Sequence, residues 1–131
     1  MVGIVVVAHS FAVADSVITF TKEMQKNDQV IYNAAGIEDG KAFGSDPMRI
    51  KEMIESAMTD DGVIIFCDLG SSIMNTQMAL EFLDEKHKSK VAIANAPLLE
   101  GLFVGVISNQ PKTTLEQMEK IVLEAKTMNK G

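Results

Sequence analysis

Four short runs of apolar residues, each followed by a stretch with helical spacing, constrain this chain more than any other feature. Gly3–Ala8 and Val63–Cys67 are continuous, β-branched and uncharged, as strands covered on both faces must be. Gln29–Asn33 and Val91–Asn95 are the weaker strand candidates. Phe11–Gln25 carries Val13, Val17, Phe20 and Met24 at helical spacing, so that face is expected to be the buried one. Asp46-Pro47 predicts an N-cap followed by proline in the first turn of a helix reaching about Met58. A third helix is expected over Ile73–Leu83, a surface loop over Asp84–Lys90, and a helix over Leu98–Ser108. Thr113 and Glu116 are spaced as a capping box for a last helix running to Met128. The nine methionines fall mostly on helical apolar faces and read as core.

Strands covered on both faces and joined by helices form a parallel sheet, and right-handed crossovers favour a doubly wound order. The expected fold is therefore α/β: a four-stranded sheet of order 2-1-3-4, helices on both faces, and one domain over residues 1–131. With 131 residues the chain is long enough to bury a core unaided, and it shows no repeat or linker. Its single cysteine, Cys67, excludes an internal disulfide and any multi-cysteine metal site; it reads as a small core residue. The net charge of −6 repels phosphate backbones, so nucleic acid is not an expected partner. No apolar run approaches the roughly 18 residues that span a membrane, and no basic residue precedes Lys22 to make the start a signal peptide. The expectation is a complete cytoplasmic chain with a reduced Cys67 and no membrane contact.

In an open parallel sheet, ligands bind beyond the carboxyl ends of the strands, where strand order reverses. In order 2-1-3-4 that point lies between the first and third strands. His9-Ser10 ends the first, and Asp68-Leu69-Gly70-Ser71-Ser72 ends the third. Asp68 can accept a hydrogen bond from the His9 ring and leave the other ring nitrogen free as a nucleophile. Gly70, Ser71 and Ser72 offer backbone N–H groups and hydroxyls at a helix N-terminus, suited to a phosphoryl group. Adjacent residues at a strand end point apart, so Ser10 does not complete a hydrolytic triad with His9. One histidine and one aspartate are too few for a metal, and no metal or other cofactor is expected. His87 reads as a solvated loop residue. A purely structural His9–Asp68 pair, in which the histidine caps its strand, is the competing reading.

GIVVVAHS, then GIEDG with FGS, then DGVIIFCDLGSSIMN and NAPLLEG, taken in order, resemble the DhaM family. These are the phosphoryl-donor subunits of phosphotransferase-system-dependent dihydroxyacetone kinases, and their fold resembles the IIA domain of mannose-type sugar transporters. The resemblance covers nearly the whole chain. It implies a phosphohistidine at His9, with Asp68 orienting the ring and Ser72 facing the phosphoryl group. It further implies uptake of the group from HPr, a protein separate from this chain, and delivery to ADP held by DhaL. DhaL in turn phosphorylates dihydroxyacetone bound to DhaK, and any metal accompanying ADP belongs to that partner. It implies a homodimer as well. The chain departs from the family pattern at Ser16, at Ala35-Gly36 and at Gly44-Ser45-Asp46, positions expected not to touch His9 or the DLGSS turn. Phe11 and Met74, beside the expected site, are candidate partner-docking residues. Two other functions remain open: a IIA component passing phosphoryl to a IIB domain of a mannose-type transporter, and a non-catalytic α/β regulatory module.

Overall fold

The computed structural model describes residues Met1–Gly131. Its four strands, β1 (Gly3–Val7), β2 (Ile31–Asn33), β3 (Val63–Cys67) and β4 (Val91–Ile93), form one sheet in the order β2-β1-β3-β4. Every neighbouring pair is parallel, and β1 and β3 are in register from Gly3 opposite Val63 to Val7 opposite Cys67. The helices are α1 (Phe11–Lys22), α2 (Pro47–Ala57), α3 (Gly70–Glu81), α4 (Glu85–Lys88), α5 (Leu98–Ser108) and α6 (Leu115–Leu123).

Strand pleating divides the core in two. Ile4, Val6, Ile64 and Phe66 face α1, α5 and α6, where they meet Ala14, Ile18, Leu102, Val106, Met118 and Val122. Val5, Val7, Val63, Ile65 and Cys67 face α2 and α3, where they meet Ile50, Ile54, Ala57 and Ala79. Both central strands are buried at every position, which is why their sequences do not alternate. Helix α5 lies close over β3 because Gly105 leaves room for the Phe66 ring. A Cβ there would sit 3.0 Å from Phe66 Cζ.

Several details differ from the sequence expectation. Helix α1 buries Ala14, Ile18 and Thr21, while Val13, Phe20 and Met24 are exposed. Small Ala14 lets the helix approach the sheet, and the Thr21 hydroxyl is satisfied by donating to the Val17 carbonyl at 2.7 Å. Phe20 instead stacks on Phe103 of α5, ring centroids 6.0 Å apart. Helix α3 begins at Gly70, not Ile73, because the Gly-Ser-Ser turn is itself the first helical turn. The expected loop over Asp84–Lys90 contains the helical turn α4, and His87 within it is half-buried. The capping box of α6 uses Thr114 and Gln117, one residue later than expected. Thr113 is occupied elsewhere: its hydroxyl accepts the Gln110 N–H at 3.1 Å. Helix α6 stops at Leu123 and a 3-10 turn, Glu124–Thr127, follows. Of the methionines only Met118 is fully buried; Met24, Met48, Met74, Met78 and Met128 are exposed. No helix is long and apolar enough to cross a membrane.

Candidate active site at the carboxyl edge of the sheet

Because β1 and β3 are direct neighbours in register, the residues following them emerge side by side. The Asp68 N–H donates to the Val7 carbonyl at 3.2 Å, extending the ladder one step past the strands. The His9 backbone N–H then donates to Asp68 Oδ2 at 3.0 Å. The ring bonds the same carboxylate, with Nδ1 3.0 Å from Oδ2 and 3.2 Å from Oδ1. Nε2 points the other way, to the Ser71 hydroxyl. One tautomer satisfies both contacts: Nδ1 carries the proton and donates to Asp68, while Nε2 accepts from Ser71.

Asp68 is built to remain ionised. Burial alone pushes its pKa up. Hydrogen bonds from the Ser72 hydroxyl, the His9 backbone and ring, and the Leu69 N–H outweigh burial and hold the carboxyl below the ordinary aspartate value. The Ser72 donor lies 2.6 Å from Oδ1 and the Leu69 donor 2.7 Å away. Cys67, one residue earlier, shows the opposite outcome. Burial pushes its thiol up to about 11, so it stays protonated and takes no part in nucleophilic chemistry.

Two helix N-termini converge here. Ser10 caps α1 by accepting the Val13 N–H at 3.2 Å, which places His9 just before the helix. Leu69 precedes α3 without any side-chain cap; the Ser72 N–H donates to the Leu69 carbonyl at 2.9 Å, and the Gly70 and Ser71 N–H groups are left without a backbone partner beside the Ser71 hydroxyl. Both ends carry partial positive charge, and neither first turn holds an acidic side chain. An anionic group on Nε2 would meet donors and no opposing carboxylate within those turns.

The residues singled out from sequence divide in two. His9, Asp68, Gly70, Ser71 and Ser72 come together. Ser72 is fully buried; its hydroxyl donates to Asp68 Oδ1 and lies 3.3 Å from His9 Nδ1, so it faces the carboxylate side of the ring and not Nε2. Phe11 is half-buried, its ring against Gly40 and its Cβ against Gly36. Gly40 has φ +84, and a Cβ there would meet the Phe11 ring at 3.0 Å. Met74 is 67% exposed.

The family described as the PTS system fructose IIA component, EIIA-man, matches residues 3–121. The chain belongs to this family. Among its relatives, "PEP-dependent dihydroxyacetone kinase 1, phosphoryl donor subunit DhaM" of Listeria innocua serovar 6a is 35% identical over 126 residues, covering 96% of this chain and 94% of that protein. The corresponding DhaM subunit of Klebsiella michiganensis is 34% identical over 110 residues, covering 82% of this chain but 23% of that protein. The chain thus spans about a quarter of the length of such longer relatives. A crystal structure titled as a protein of unknown function, EF1359, superposes with a TM-score of 0.82 at 28% identity, covering 95% of each chain.

Around this IIA-type site, sequence reasoning missed Asn75, and its expectation that Gly44 stays clear of His9 is contradicted. The Gly44 N–H donates to the His9 carbonyl at 2.8 Å, and Asn75 Nδ2 donates to the Ser45 hydroxyl at 2.6 Å and to its carbonyl at 3.2 Å. A signal for Asn75 exists: it lies four residues after Ser71 and so shares its helix face. Two exposed apolar residues stand in the neighbouring segments, Phe43 at 82% and Leu69 at 67%.

Proposed function

We propose that this chain is a phosphotransfer domain spanning residues 1–131 and acting as the DhaM-type phosphoryl donor of a PEP-dependent dihydroxyacetone kinase. His9 carries the phosphoryl group. The observation that supports this most is the hydrogen-bonded line from Asp68 through Nδ1 to Nε2, ending at the free start of α3. The same order of carboxylate, imidazole and hydroxyl also serves acyl transfer; membership of a phosphotransfer family favours the present use.

In the proposed step the Ser71 hydroxyl turns away from Nε2 and exposes its lone pair. Nε2 attacks the phosphorus of phosphorylated HPr; the Nε2–P bond forms as the donor's N–P bond breaks, and the electron pair returns to the donor imidazole. No proton moves at Nε2. The His9 ring, now bonded at Nε2 and protonated at Nδ1, is cationic, and Asp68 stabilises that charge. The phosphoryl oxygens meet the Ser71 hydroxyl and the Gly70 and Ser71 N–H groups at the start of α3. Transfer onward to a terminal phosphate oxygen of ADP, held by DhaL, reverses the same bond changes at Nε2. DhaK participates only through DhaL. The exposed apolar residues Met74, Leu69 and Phe43, with the edge of Phe11, form the docking rim that excludes water during transfer. The setting is a cytoplasmic homodimer, the state the family resemblance implies.

The test is to mix the pure protein with phosphorylated HPr and follow labelled phosphate. Acid-labile label is expected on the wild type and on His87→Gln, and none on His9→Gln. Met74→Ser is expected to raise the HPr concentration for half-maximal uptake and to leave the melting temperature unchanged. Retained label in His9→Gln would overturn the phosphohistidine. Kinase activity on mixing with DhaL and DhaK supports the DhaM assignment; delivery only to a IIB domain would replace it with the transporter reading.

A further inference from the structure

The His9 backbone is held on both sides. On the sheet side its N–H donates to Asp68 Oδ2 at 3.0 Å. On the loop side its carbonyl accepts the Gly44 N–H at 2.8 Å. The first support rests on the central strands. The second rests on the segment between β2 and α2, which has no strand or helix of its own. What fixes Gly44 therefore matters to the height and tilt of the imidazole.

The segment is a folded-back loop. Its near end is tied by the Gly36 N–H to the Ala8 carbonyl at 3.0 Å, and its interior by the Ile37–Ala42 bridge. Its tip has left-handed backbone at Glu38 and Asp39, φ 52 and 57. Its far end carries Phe43, 82% exposed, so no buried apolar anchor holds it there. A backbone bridge pairs Ser45 with Gly36; the side-chain anchor at that end is Asn75, whose amide donates to both the carbonyl and the hydroxyl of Ser45, next to Gly44. Asn75 stands one helical turn beyond Ser71, which bonds His9 Nε2. A single face of α3 thus holds the imidazole at Nε2 directly and its backbone carbonyl through Ser45 and Gly44.

We propose that Asn75 is a positioning residue for His9, acting through the Ser45–Gly44 clamp; this rests on the phosphotransfer reading above. Asn75 touches no reacting atom. Its amide locks the loop to the same helix that carries Ser71, so the nucleophilic nitrogen, its hydroxyl partner and its backbone support move as one body. Losing the clamp frees the Gly44 N–H, lets the His9 backbone shift and misaligns Nε2 for in-line attack. Misplacement on the scale of an ångström costs about a hundredfold in rate.

The experiment compares wild type, Asn75→Ala, Asn75→Asp, Ser45→Ala and Asn75→Ala/Ser45→Ala, with two readouts. The first is phosphoryl uptake from phosphorylated HPr, resolved into kcat and KM. The second is amide hydrogen exchange at Gly44, with Ile64 and Ile65 as core references. Asn75→Asp keeps the side chain's shape and loses its donor, so it tests the clamp without opening a cavity. The expected result for both Asn75 variants is a loss of roughly ten- to a hundredfold in kcat with KM for HPr nearly unchanged. Gly44 exchange should quicken at least tenfold while Ile64 and Ile65 stay at wild-type protection. Ser45→Ala keeps the carbonyl acceptor and should lose less, and the double variant should be no slower than Asn75→Ala. Wild-type kcat in Asn75→Asp, or Gly44 exchange rising only together with Ile64 and Ile65, would overturn the proposal. Failure of the wild type to take up label would instead overturn the phosphotransfer reading. In that case faster Gly44 exchange in Asn75→Asp still shows the clamp, and unchanged exchange removes it.

Discussion

The two ends of the sheet each carry a polar network, and the two are built for different ends. At the amino edge, Asn109 is fully buried and its amide donates to the Val2 carbonyl at 2.8 Å and to Gln29 Oε1 at 2.9 Å. Gln29 donates onward to Val106, and Asn27 donates to the Asn109 carbonyl, each at 3.1 Å. Every member of this network is a neutral amide or a backbone group, and the donors are spent on cross-linking the start of β1 to the end of α5. At the carboxyl edge the members are an imidazole, a carboxylate and hydroxyls. The His9 side chain is 32% exposed and that of Asp68 21%. Both networks satisfy groups that the fold would otherwise leave unpaired. Only the second keeps a reactive lone pair near the surface, covered by a single rotatable hydroxyl and with a charge behind it. The difference lies in what the donors point at: acceptors of the fold itself in one network, with only Asn109 Oδ1 left unpaired, and an incoming group in the other.

The largest effect that tests this contrast is on rate. Asp68→Asn should lower phosphoryl transfer by about one to several powers of ten, as for other oriented histidines, while the protein stays folded at neutral pH. An amide can favour the wrong tautomer and cannot stabilise a cationic ring. The same variant carries a pH signature. The folded Asp68 carboxyl lies below its ordinary value, so its ionisation contributes stability above the unfolded aspartate value of about 3.9 and loses it as pH falls through the folded value. Thermal melts from neutral to acid pH should show a shallower acid decline in Asp68→Asn than in wild type. An unchanged transfer rate would make Asp68 structural only and erase the contrast between the two edges.

A smaller effect is expected at the other end, and on a different axis. Asn109→Ala orphans the buried Val2 carbonyl and should cost about 1–3 kcal/mol of stability, read by denaturant unfolding. Phosphoryl uptake per folded molecule should match wild type. A specific loss of transfer in Asn109→Ala, with stability intact, would mean that the amino edge communicates with the site.

The sequence made the scaffold legible because its strongest signals are physical necessities. Continuous runs such as VIIFC can only be strands covered on both faces, and once the order follows, His9 and Asp68 must emerge as neighbours. The site was legible to the extent that its residues follow strands directly. What lay outside that logic was lost. The buried face of α1 was misplaced because large Val13, Phe20 and Met24 outweigh small Ala14 in any periodicity, while contact with the sheet rewards the small residue. The inward turn of the Ser72 hydroxyl was not legible because spacing alone does not say which of two adjacent hydroxyls turns inward. The Asn75 clamp was invisible because its partner, Ser45, is 30 residues away in a loop whose course no periodicity describes. Exposed methionines on α3 read as core for the related reason that spacing does not reveal which helix faces stay unpartnered.

The central claim is that Asp68 holds the proton on Nδ1, so that the phosphoryl group bonds Nε2 on the side of Ser71. Nitrogen-15 spectra of the His9 ring, recorded before and after phosphorylation by HPr, test this directly. The account predicts an Nδ1-protonated ring at the start and phosphorus coupling to Nε2 at the end, both lost in Asp68→Asn or reduced to a tautomer mixture. Coupling to Nδ1, or phosphorylation with the resting proton on Nε2, would contradict it.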